Sequence, residues 1–132
     1  MPQQNVSLIQ SLYAEFGKGN IAGILAQLTD DVHWQEFDNK DIPYAGARTG
    51  KPEVEKFFQQ ISSSINVSAF EPREFIEAGD KVVVLGGWAG TVKATNKNFT
   101  SRWAMVWTIS NGKVKKFDCY EDSASTAAAF KK

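Results

Sequence analysis

The sequence predicts an α+β fold in which a cone-shaped, curved antiparallel sheet carries about three helices across its concave face. Apolar residues recur at helical spacing through the first half of the chain, whereas alternation with a period of two dominates the second. The alternating segments meet at Gly79-Asp80, Asn96–Asn98 and Asn111-Gly112, which are turn signals, with no helix-sized crossover between them. Helices followed by a long meander imply helices packed on one face of a sheet.

Val6, Ile9, Tyr13 and Phe16 form the first helical stripe, with Leu8 and Leu12 beside them, and Gly17 and Gly19 end it. Asn20 is placed to cap a second, short helix carrying Ile21, Ile24, Leu25 and Leu28, closed by Thr29-Asp30-Asp31. Residues Val32 to Phe37 read as a short strand with Trp34 and Glu36 on one face. The stretch Asp38 to Gly50 holds Pro43, Gly46 and Gly50 and reads as loop. Pro52 and Glu53 suit the first turn of a third helix, whose buried stripe is Val54, Phe57, Phe58 and Ile61.

Four strands follow. Val67–Glu77 carries Pro72 and so belongs at an edge, because proline cannot donate to a ladder. Lys81–Lys93, Phe99–Ser110 and Lys113–Asp122 complete the meander, and SASTAAAF reads as a short helix capped by Asp122 or Ser123. No repeat or linker interrupts the chain, so residues 1–132 are expected to form one domain.

The composition narrows the function. Hydrophobic residues make up 42% and charged residues 23% of 132, enough for a core that buries roughly two-thirds of the chain's surface. Lys+Arg and Asp+Glu are both 15, which removes the main driving term for nucleic-acid binding. One cysteine, Cys119, permits no internal disulfide and fits a reducing compartment. The start MPQQNVSLIQ lacks the basic region of an export signal, and no apolar run approaches the ~18 residues of a membrane span. A cytoplasmic protein is expected.

Alternation assigns the interior. On Phe99–Ser110, one face carries Phe99, Ser101, Trp103, Met105, Trp107 and Ile109, and the other carries Thr100, Arg102, Ala104, Val106, Thr108 and Ser110. On the last strand, Lys115, Phe117, Cys119 and Glu121 share a face, which Phe117 and Cys119 place inside. The expected pocket is lined by Trp34, Phe57, Phe58, Trp103, Met105, Trp107, Phe117 and Cys119, with Glu36 and Glu121 near its mouth. Trp34, Trp88, Trp103 and Trp107 are suited to stacking on a flat ligand. His33 has the parity of the outer face, and its pattern with the cysteine and carboxylates gives no metal-ligand spacing. Cys119, among aromatic neighbours, reads as a small hydrophobe rather than a nucleophile.

The segments KGNIAGILAQLTDDVHW, DIPYAGARTGKPEVEKFF and GDKVVVLGGWAGTVKAT…WAMVWTISNGKVKKFDCYED resemble SnoaL-like, ketosteroid-isomerase-related proteins of the nuclear-transport-factor-2-like superfamily. The resemblance spans nearly the whole chain. It implies a closed pocket for a small, largely apolar organic molecule. The superfamily includes isomerases, cyclases, dehydratases, epoxide hydrolases and non-catalytic binders, so the reaction must be argued from the site. Glu36 occupies the place of the isomerase's general-base aspartate, and the oxyanion tyrosine falls near Leu12, one step from Tyr13. Met105 stands where the isomerase keeps a protonated aspartate. A thioether cannot donate to an enolate, so that oxyanion hole is not reproduced. Closer relatives often carry His at the Met105 position and Glu at the Cys119 position, and these proteins commonly dimerise through the outer sheet face, here Arg102, Ala104 and Val106.

These expectations give one catalytic version, with Glu36 as base, Tyr13 or Tyr44 donating to a substrate oxygen, and Glu121 beside them, without metal or organic cofactor. The alternatives are a non-catalytic carrier and a dimeric scaffold whose cone is filled by its own side chains.

Overall fold

A computed structural model describes residues 4–132. In chain order it holds α1 (Gln4–Gly17), α2 (Ile21–Leu25), β1 (Leu28–Gln35), β2 (Ala47–Thr49), α3 (Lys51–Ser64), β3 (Ile65–Ala78), β4 (Lys81–Val92), β5 (Lys97–Ser110), β6 (Lys113–Glu121) and α4 (Ser123–Phe130). The strands form one curved, unclosed sheet in the order β2-β1-β6-β5-β4-β3. This is the predicted α+β architecture, with one added feature: β1 runs parallel to β6, while the other pairings are antiparallel.

Local chemistry explains the helices. The Asn20 side chain accepts a hydrogen bond from Gly23 N at 3.1 Å and starts α2. Asp122 does the same for α4 through Ser125 N. Pro52 lies in the first turn of α3, and the helix buries Val54, Phe57, Phe58 and Ile61, spaced three and four apart, against the sheet.

Three sequence expectations are corrected. Leu28 is not the last residue of the second helix's stripe, and Thr29-Asp30-Asp31 is not a closing turn, because α2 stops at Leu25 and β1 begins at Leu28. Leu28 is fully buried opposite Val114, whose N–H bonds to Gln27 O at 2.9 Å, so a distant strand captures residues that helical periodicity alone would extend. The expected loop 38–50 contains a three-residue strand, β2, paired with His33–Gln35. Lys115 does not share the inner face with Phe117 and Cys119. A register shift between Thr108 and Ile109 turns Val114 inward and leaves Lys115 exposed.

The Asn111-Gly112 turn has positive φ at both residues, 52° and 77°, as a two-residue hairpin with right-handed twist requires. Pro72 lies on β3, an edge strand, next to a register shift between Pro72 and Glu74. Among the described residues, no helix is long and apolar enough to cross a membrane.

Candidate functional site

Cross-strand pairing stacks the inner face into rows. Trp107 faces Phe117, which faces Trp34; Met105 faces Cys119; Trp103 faces Glu121. The Trp34 and Phe117 rings stack with centroids 4.0 Å apart, and Trp107 meets both. Phe57 and Phe58 of α3 close over Trp34. Above these rows lies a cavity of about 60 Å³.

Trp34, Glu36, Phe57, Phe58, Trp103, Met105, Trp107, Phe117, Tyr13 and Glu121 all line this cavity. Cys119 sits behind it, buried beside the two carboxyl groups, and is not part of the wall. Tyr44, Trp88, Phe70 and Phe16 are also in the wall. Tyr44 emerges from the segment that reads as loop, and Phe16 and Phe70 line the same side as Tyr13. Their neighbours become visible only once the sheet curves.

Glu36 lies just past the end of β1 and is 3% exposed. Burial pushes its carboxyl well above the usual range, and the nearby Glu121 pushes it further; the Cys119 thiol and the Arg48 guanidinium oppose the shift. Glu121 is also raised by burial, but its Oε2 accepts from Thr126 Oγ1 at 3.1 Å and from Ser101 Oγ at 3.3 Å. The Trp88 indole N–H also favours the Glu121 anion, from beyond ordinary hydrogen-bond geometry. These donors make Glu121 the member of the pair that ionises first, while Glu36 keeps its proton.

Arg48 braces the cavity wall, with no sign of this in the sequence pattern. It donates to Tyr44 O at 3.1 Å and to Gln60, and it lies 5.5 Å over the Phe57 ring. It comes from β2, within the stretch that resembles a loop, so periodicity gave no sign of it.

Tyr13 is placed differently from an oxyanion donor waiting for substrate. Its hydroxyl donates to Met105 Sδ and accepts from Trp107 Nε1, both at 3.1 Å, while its ring stacks on Trp103. Burial raises its proton affinity, so it stays a phenol. Sulfur is a weak acceptor, which leaves that O–H free to turn to a better oxygen.

Glu36, Cys119 and Glu121 bring two carboxylate oxygens and a sulfur within 4.8 Å of one another, a grouping hidden in the linear spacing. A divalent cation could use such donors. Burial raises the proton affinity of all three, and bound protons compete with any metal.

The most informative atoms are the unpaired ones. Trp34 Nε1, Trp88 Nε1, Trp103 Nε1, Tyr44 Oη and Glu36 Oε2 are buried without a hydrogen-bond partner in the protein, and all five side chains line the cavity. Each such atom costs about 1–3 kcal/mol if it stays unmet. A wider groove of about 660 Å³ runs over the outside between the end of α1, α3 and β3. It shares Tyr13, Phe16, Phe58, Ile61 and Phe70 with the cavity, so these side chains are the wall between the two.

No functionally curated protein matches the chain. Solved structures do. An NTF2-like protein from Burkholderia xenovorans LB400 is 30% identical, covering 99% of this chain and 98% of its own, with a TM-score of 0.90. An NTF2-like protein of unknown function from Burkholderia pseudomallei K96243 is 27% identical over 98% of each chain, again with a TM-score of 0.90. TerC, co-crystallised with polyporic acid, is 26% identical over 96% of this chain and 98% of its own, with a TM-score of 0.86. The SnoaL-like domain family matches residues 9–117, most of the length, ending within β6 just before Cys119 and Glu121. The chain belongs to the SnoaL-like family, within the NTF2-like fold.

Proposed function

We propose that the protein binds a compact organic molecule inside the cone and moves a proton on it, at a carbon beside a carbonyl, through Glu36. The observation that carries this reading is the convergence of unpartnered polar atoms on one aromatic cavity, beside two carboxyls whose environments push their proton affinities apart. A carboxyl of raised proton affinity is a stronger base once ionised and can return the proton as an acid. Glu36 acts as base from its ionised form, whose fraction rises with pH as its proton passes to solvent. TerC's co-crystallisation with polyporic acid supports an organic ligand.

The test is deuterium uptake by 1-indanone, whose ring carries a CH₂ beside its carbonyl, followed by NMR in D₂O. Wild-type protein should accelerate uptake over buffer, and Glu36→Gln should lower that rate at least about 10²-fold while still binding the ketone. Binding without acceleration by the wild type would make the protein a carrier.

The small resting cavity favours a second reading, a cone filled by its own side chains. About 60 Å³ lies well below the ~300–1,000 Å³ typical of drug-sized sites, so a larger ligand requires Tyr13, Phe16, Phe58 and Phe70 to move.

The outer sheet face fits a second copy of the chain. The row Leu85, Ala104, Tyr120 lies next to the row Ile76, Val83, Val106, and Ile76, Leu85 and Tyr120 are 47%, 37% and 62% exposed. Arg102, Glu74 and Asp118 border them, giving an apolar centre with a charged rim. Sedimentation should show a wild-type dimer that Leu85→Glu converts to monomer; a wild type that stays monomeric at high concentration would remove this interface.

A further inference from the structure

The parallel pairing of β1 with β6 gathers three acidic side chains that the chain keeps far apart. Gln35 lies opposite Asp118, so the next residue, Glu36, stands beside Cys119, and Glu121 follows two positions on along the same inner face. Two carboxylate oxygens and the thiol sulfur lie within 4.8 Å of one another. Glu36 and Cys119 are each 3% exposed, and among the described residues none of the three joins an ion pair. The Arg48 guanidinium is engaged by Tyr44 O and Gln60. The cluster is buried without a contacting countercharge.

Two unpartnered atoms point to something that belongs there. Glu36 Oε2 is one, and Tyr44 Oη, on a residue only 1% exposed, is the other. Tyr44 lines the same cavity as both glutamates. Burial holds its proton, and Glu121, Glu36 and Cys119 hold it further, which sets the phenol beside the cluster. The donor types then choose the ion. Calcium and magnesium take oxygen shells of six or more, and iron–sulfur clusters take cysteine thiolates throughout. Zinc accepts mixed sulfur and oxygen sets, and three protein ligands leave it a fourth position.

We propose that Glu36, Cys119 and Glu121 form a three-ligand site for Zn²⁺, with the fourth position open to the cavity beside the Tyr44 hydroxyl. The metal displaces the protons of the Cys119 thiol and the Glu36 carboxyl, which leave to solvent as Zn–S and Zn–O bonds form, without oxidation or reduction. Bonds of about 2.0–2.3 Å draw the three donors roughly an ångström closer together. A zinc ion there occupies the Glu36 carboxylate, so the metal-loaded protein and the proton-transferring protein are alternative states. The site does not depend on the organic ligand.

Cobalt(II), which absorbs where zinc is silent, is the probe. Added to the full-length protein at about pH 8, it should give a thiolate-to-cobalt charge-transfer band in the near ultraviolet, and Zn²⁺ should abolish that band by displacement. Cys119→Ala should remove the band, and Glu36→Gln should weaken Zn²⁺ at least about tenfold. His33→Ala, which removes the one imidazole of the chain, should change neither. Melting curves show that each variant is folded; if Cys119→Ala is not, Glu36→Gln, nearly identical in shape, decides. Wild-type protein without the thiolate band, a band that survives Cys119→Ala, or a zinc affinity that ignores Glu36→Gln would overturn the site. Proton transfer to 1-indanone would be untouched by that result.

Discussion

As pH rises above about 4.5 the protein is expected to lose stability, and Glu36→Gln is expected to flatten that decline. The sign follows from proton counting. In the unfolded chain a glutamate gives up its proton near pH 4.5, whereas burial holds the proton on Glu36 in the fold well above that. Over the interval between those two values the folded state binds more protons than the unfolded state, so unfolding becomes easier as pH rises. The contribution is fully present below pH 4.5 and is lost as pH rises toward the folded value. One such group contributes a slope of about 1.4 kcal/mol per pH unit. Glu121, also raised by burial, adds to the slope over a shorter interval because Thr126 and Ser101 stabilise its anion. The buried Cys119 thiol, raised mainly by burial and then by the two glutamates, adds a further decline only in the alkaline range. Arg48 works in the opposite direction, and Tyr44 stays neutral throughout. Melting midpoints across this pH range for wild type and Glu36→Gln measure the effect. A wild-type curve that is flat or rises with pH would show that the Glu36 carboxyl is hydrated, and the proton-transfer reading would lose its basis.

Gly86→Ala is expected to cost about 2–3 kcal/mol, the range of an overpacked core. Gly86 lies on β4 opposite Trp103, and a Cβ there would fall 2.3 Å from the Glu71 carbonyl oxygen and 2.7 Å from the Trp103 ring. The carbonyl belongs to backbone and cannot swing aside, so the β3–β4 pair or the indole must shift. Glycine in a strand often marks such a close approach. Gly87 next door gives the contrast: its nearest atoms, at 3.1 Å, are an Arg73 guanidinium nitrogen, which can move, and the Ser101 carbonyl. Gly87→Ala should therefore cost less. Chemical denaturation of the two variants measures the difference. If Gly86→Ala unfolds within about 1 kcal/mol of wild type, Trp103 is not seated against β4, and its place in the cavity wall would have to be redrawn.

Alternation made the meander legible before any coordinates. Trp103 and Trp107 are buried, Met105 is half-buried and Arg102 is exposed, because a strand with one wet side has few ways to arrange such side chains. Pro72 and Asn111-Gly112 were legible because each restricts the backbone at its own position. The misread features depend on residues far away in sequence. Leu28 joins a strand because of Val114, Lys115 turns outward because of a register shift opposite it, and Arg48 matters because β2 places it beside Tyr44 and Glu36. For the site, parity brought Glu36 and Glu121 to the same hollow, but the hydroxyls of Ser101 and Thr126 that separate their behaviour lie on other elements. The unpartnered indoles could not be foreseen at all, since a tryptophan's partner is a property of the folded core.

The parallel ladder between β1 and β6 also sets a timetable. Apart from the three residues of β2, the strand that leads into Glu36 has its sheet neighbour more than eighty positions further along the chain, and such distant pairings carry the largest loop-closure cost in folding. A polypeptide emerging from the ribosome can form its β3–β4–β5 hairpins while β1 is still waiting for that neighbour. The two carboxyls come together only after nearly all of the protein has been synthesised, and an incomplete chain ending in β5 would have the hairpins without that buried pair.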